Sequence, residues 1–190
     1  RPQIITTETA DTWEAEYDED AMAVLKATRK RALDILFDTS RSVPEVLALV
    51  LLYGCQAQSQ LDGGEDPQFQ ADAALDSVQE FLKEGNPQEL ANFFLTLEIL
   101  TPEWEALLQA PSPAGWTNHY RALAAYLVQR YWLQAVSDYD LYCRVKFILI
   151  ACLLVKNLGG DLFRTAQLFS KEIENNIDNV EAILDAAYAH

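Results

Sequence analysis

The stretch NHYRALAAYLVQRYWLQ, residues 118–134, decides how this chain is read. It sets Tyr120, Tyr126, Tyr131 and Trp132 on one predicted helix, with Arg130 directly before the last two. At 100° per residue, Tyr120, Leu123, Leu127, Tyr131 and Gln134 share one face, while Ala125, Val128, Trp132 and Val136 cover much of the opposite one. A helix apolar on nearly every side is a buried helix. The next segment behaves alike, with Val145, Phe147, Ile148, Leu149, Ile150, Leu153 and Leu154 circling its axis. The reading is therefore two core helices, 116–135 and 139–158, folded on each other as a hairpin.

Arg130 is harder to place on such a helix, because it lies on the flank between Tyr126 and Leu127. Buried without a carboxylate it would cost about 3–5 kcal/mol. Asp138 and Asp140, in the turn VSDYD, are the acids within reach. Two readings stay open. In the favoured one an Arg–Asp staple holds the turn of the hairpin. In the other, Arg130 is the polar spot of an apolar crevice lined by Tyr120, Tyr126 and Trp132, with Asp138 and Asp140 at its edge.

Working outward, the flanking segments also read as helices. Asp18–Asp20 sit where acids favour a helix N-terminus, and Met22, Leu25, Ala32, Leu33, Ile35 and Leu36 follow as an apolar stripe. That helix carries the basic cluster Lys26, Arg29, Lys30 and Arg31, read first as a solvated face and second as a surface for an acidic partner. Ser42, Pro44 and Glu45 spell a capping box, and the helix they open runs to DGGEDP. Helices are expected over 68–84 and 88–99, then from Thr101-Pro102. Gly159-Gly160 end the second long helix, and Asp161 caps the next, LFRTAQLFSKEIENN; IDNVEAILDAAYAH closes the chain. Glu172 and Glu174, near that helix end, are expected to face water. The fold class expected is all-α: an irregular bundle of seven to eight helices around a central antiparallel hairpin. Residues 1–17 read as an N-terminal arm docking through Ile4, Ile5 and Trp13, and 18–190 as a single helical domain.

Composition bounds the function. Half of the 190 residues are apolar, enough for a core without disulfides or metal. The net charge is −15, from 29 acids against 14 bases, which speaks against a nucleic-acid or anionic-membrane partner. The longest apolar run, FILIACLLV at 147–155, is nine residues, whereas a membrane span needs about 20. The first twenty residues hold seven acids and one arginine, so no signal peptide is expected and the protein is read as cytoplasmic. A start at Arg1 without methionine reads as a piece of something longer. Cys55, Cys143 and Cys152 lack CxxC spacing and nearby histidines; they read as small buried hydrophobes in a reducing compartment, and no metal site is expected. No phosphate-cradling loop, nucleophile elbow, HExxH or Cys–His pair is present.

The C-terminal half resembles the helical region of the flagellin lysine-N-methylase family. The segments that carry the resemblance are LTPEWEALLQ (100–109), WTNHYRALAAYLVQRYW (116–132) and DLFRTAQLFSKEIENN (161–176). In that family an ENYL…R helix precedes an apolar helix, and an acid-started helix then ends in a segment of the type FSR-x-h-EH, where h is apolar. The corresponding stretches here are Asn118–Arg130 and Phe169–Asn175. Residues 25–64 are similar to the family's upstream segment. Asn175 stands where the family commonly has histidine, and the family's cysteine-rich N-terminal region has no counterpart. The resemblance implies the C-terminal portion of a protein that transfers a methyl group from S-adenosylmethionine to lysines of flagellin. The residues themselves show no cofactor site. A non-catalytic helical interaction module is the alternative, and a small-ligand-binding bundle a third option.

Overall fold

Helix starts follow the capping chemistry written in the sequence. In the computed structural model, which describes residues 18–66, 68–78 and 86–189, Asp18 accepts hydrogen bonds from the Asp20 and Ala21 amides and opens α1, Glu19–Leu36. Ser42 and Glu45 form the reciprocal capping box of α2, Val43–Leu61, satisfying two donors that a helix N-terminus leaves orphaned. α3 spans Ala71–Val78. Asn86 caps α4, Pro87–Phe94, and Thr101 caps α5, Pro102–Gln109. α6 runs His119–Tyr131 and tightens into a 3-10 turn at Trp132–Val136; α7 is Leu141–Leu158. α8, Leu162–Phe169, widens into a π-helical turn at Ser170–Glu174, and α9 is Ile177–Ala189.

The fold is all-α, with nine α-helices and no strand among the described residues, one helix beyond the seven to eight expected. Expected positions that fall at 1–17, 67, 79–85 and 190 lie outside the described residues. α7 is the axis: it packs against α2, α4, α6, α8, α9 and the 3-10 turn. Its Leu141, Val145, Phe147, Ile148, Ala151, Cys152, Leu154, Val155 and Leu158 are buried, as expected of a helix apolar all round, whereas Leu153, expected in the same circuit, is exposed and Ile150 half-buried. α6 departs from that expectation. Tyr120, Ala124, Ala125, Leu127, Val128 and Tyr131 are buried, but Ala122, Tyr126, Gln129 and Arg130 form a solvent-facing stripe.

Two glycines set distances between elements. Gly54 lets α2 approach α7 so closely that a Cβ there would lie 2.8 Å from a Val145 methyl. Gly159 ends α7 with φ of 69°, and a Cβ there would meet the Ser112 carbonyl oxygen at 1.8 Å. The 110–117 segment is thus laid against the end of α7, where the Ala114 amide donates to the Lys156 carbonyl. This is why α6 begins at His119 and not at Trp116.

α4 also stops short of the expected residue 99. Beyond Phe94 the chain turns, and the amides of Glu98 and Leu100 donate to the side chains of Asn179 and Glu172. Partners more than seventy positions away in the chain thus replace the helical ones. A row of aromatic rings joins these elements across the core: Tyr131 to Phe147 at 4.8 Å, Phe147 to Phe169 at 6.2 Å and Phe169 to Trp104 at 6.4 Å.

Candidate functional site

The six residues singled out in sequence fall in three places. Tyr120 and Trp132 are core side chains; Tyr120 meets the Trp116 ring edge-on, and the Trp132 indole N–H donates to Thr28 Oγ1 at 3.0 Å. Tyr126 and Arg130 lie on the exposed stripe of α6. Asp138 and Asp140 occupy the hairpin turn.

Arg130 does not staple that turn. Its Nε lies 2.9 Å from Glu174 Oε1, with the guanidinium over the Tyr131 ring. The Tyr131 hydroxyl donates to the same oxygen at 3.0 Å, and the Tyr126 hydroxyl at 3.3 Å. Glu174 exposes only 2% of its side chain although its backbone reaches the surface, so three donors from α6 enclose its carboxylate. Burial, followed by the Glu174 charge, raises the Tyr126 phenol above its ordinary value. Burial likewise drives Tyr131 upward, against the opposing pull of Arg130.

The π-turn explains how both of its acids point inward. A π-turn makes i→i+5 bonds, here from the Asn175 amide to the Ser170 carbonyl, and adds one residue to the turn. Glu172 and Glu174 leave it in different directions. Glu172, fully buried, accepts from the Leu100 amide at 2.6 Å and from the Thr101 hydroxyl, while its own carbonyl accepts from Asn179 Nδ2. Glu174 accepts from α6. The expectation that both face water is thereby corrected: they are the ties that hold the 98–101 segment and α6 to the end of α8.

The staple at the hairpin turn exists, but Arg144 makes it. One turn into α7, its guanidinium grips the Asp138 carboxylate through two bonds of 2.8 and 2.9 Å and donates to the Asp140 carbonyl at 2.6 Å. Arg130 faces the π-turn instead, whereas Arg144 lies directly over the turn. Asp140 is occupied as well, capping α7 at the Cys143 amide. Tyr139 between them adopts a left-handed φ of 59°; its carbonyl accepts from Gln58 Nε2, and its hydroxyl donates to Asp18. Beside this turn a recess of about 350 Å³ is lined by Asp138, Asp140, Arg144, Glu181, Leu184 and Asp185. Four carboxylates against one guanidinium give it a negative field that favours cations.

Other expected features resolve as follows. Cys143 and Cys152 are buried, with burial pushing their thiols up to about 11 and about 12. Cys55 is exposed, which corrects the reading of all three as buried; none of the three is in a disulfide. No group of three or more His, Cys, Asp or Glu side chains among the described residues is arranged to hold a metal. In the basic cluster Lys26, Lys30 and Arg31 are exposed, and Lys30 pairs with Asp34 at 3.0 Å.

Besides Arg144, two further structural residues lie outside what the sequence motifs mark. Arg121, buried in α6, donates to the carbonyls of Leu36, Asp38 and Arg41 and so neutralises the C-terminal end of α1. Its signal in the sequence is a second arginine on an apolar helix. Gln58 of α2 accepts from the Leu141 and Tyr142 amides and completes the N-terminus of α7.

Comparison of the chain with protein families, with curated proteins and with solved structures finds no match in any of the three.

Proposed function

We propose that the chain is the C-terminal helical part of a flagellin lysine-N-methylase-like protein, acting in the cytoplasm on a protein substrate and not on nucleic acid. One observation supports this reading. Two of the stretches that carry the resemblance, 118–130 and 169–175, are far apart in sequence, yet they meet through Arg130 and Glu174. A chance likeness of two short stretches would not require them to share a contact.

The recess beside the hairpin turn does not fit the S-adenosylmethionine that the resemblance implies. An adenine ring needs an apolar slot, and the recess beside the hairpin turn has Leu184 as its one apolar wall. On this reading catalysis resides partly or wholly outside this chain. The chain contributes a rigid helical scaffold with an acidic surface, which attracts lysine-bearing substrates.

A non-catalytic interaction module is the second reading. It is favoured by the state of the π-turn carboxylates, which are engaged by donors inside the fold, leaving no free base there. Assaying the intact protein with S-adenosylmethionine and flagellin separates the two. Methyl transfer to flagellin lysines supports the first. No cofactor binding and no transfer by the intact protein removes it and leaves the second.

A further inference from the structure

We draw no further inference here: the strongest candidate, the acidic recess between the 138–140 turn and α9, is a cluster of carboxylates whose one buried cation, Arg144, is already held by Asp138 and Asp140, and nothing else in the structure shows what would occupy it.

Discussion

Arg130 Nε stands 2.9 Å from Glu174 Oε1, and this ion pair joins α6 to the π-turn that ends α8. The partners are unequally placed: the Arg130 side chain is 41% exposed, the Glu174 side chain 2%. Removing the acid leaves Arg130 partly in water and still donating to the Tyr131 hydroxyl, whereas removing the arginine leaves a buried carboxylate with two phenolic donors and no cation. Arg130→Ala is therefore expected to cost about 2–3 kcal/mol, for the buried charge it orphans, and Glu174→Ala about 1 kcal/mol. Denaturant titration of both variants and the double variant measures this. Equal losses would contradict the geometry.

The turn staple follows the same rule with the charges exchanged. Arg144 is 9% exposed and Asp138 half exposed, so Asp138→Ala leaves a buried guanidinium without its carboxylate. The full cost of such an orphan, about 3–5 kcal/mol, is reduced here by the open side of the turn to about 2 kcal/mol. Arg144→Met keeps the packing and is expected to cost less. If Arg130→Ala, and not Asp138→Ala, destabilises the hairpin turn, the assignment of the staple is wrong.

Gly159 and Gly54 separate backbone strain from packing. Gly159→Ala forces a left-handed residue and a Cβ against the Ser112 carbonyl, so a loss above about 2 kcal/mol is expected, or a melting temperature lower by roughly 4–8 °C. At Gly54 the clash is with a Val145 methyl, and the gain in helix propensity, about 1 kcal/mol, offsets much of the overpacking. Thermal unfolding that ranks Gly54→Ala as the more damaging change would overturn this account.

Thiol labelling and pH report on burial together. Native protein is expected to react with dithiobis(nitrobenzoate) at Cys55 alone, and at all three cysteines once unfolded. The raised thiols fix the sign of the alkaline dependence. The folded state keeps the Cys152 proton up to about 12, against an ordinary value near 9, while the unfolded chain releases it earlier. Stability is thus present below about pH 9 and falls as pH rises toward 12, with Tyr53, also pushed up to about 12, acting in the same direction. At the acid end, hydrogen bonds from Ser40 and Ser42 hold Asp38 and Glu45 below the usual carboxylate range. Their contribution is present above that range and lost as pH falls through the lowered values. Rising stability between pH 9 and 11 would contradict the burial of Cys152.

Features decided within a few residues were legible in the sequence. Ser42 with Glu45, Thr101 with Pro102, and Gly159 with Asp161 each act on their own helix end, and the hydrophobic circuit of 141–158 announced the axis. What escaped reading depends on distant partners. Helical period over LFRTAQLFSKEIENN contains nothing that foretells one extra residue in the last turn, and that residue turns Glu172 and Glu174 inward. Asp138 and Asp140 are acids near Arg130 in sequence, yet its partner, Glu174, comes from α8's end. The recess was hidden for the same reason: Glu181 and Asp185 acquire meaning only when α9 packs beside α7.

Residue-resolved amide hydrogen exchange tests the central claim most directly, that α6 and α7 lie together in the dry middle of a helical assembly. The amides of 124–131 and 145–155 are expected to be the slowest in the protein, opening only with global unfolding. Exchange in either segment as fast as in the 110–117 loop would contradict it.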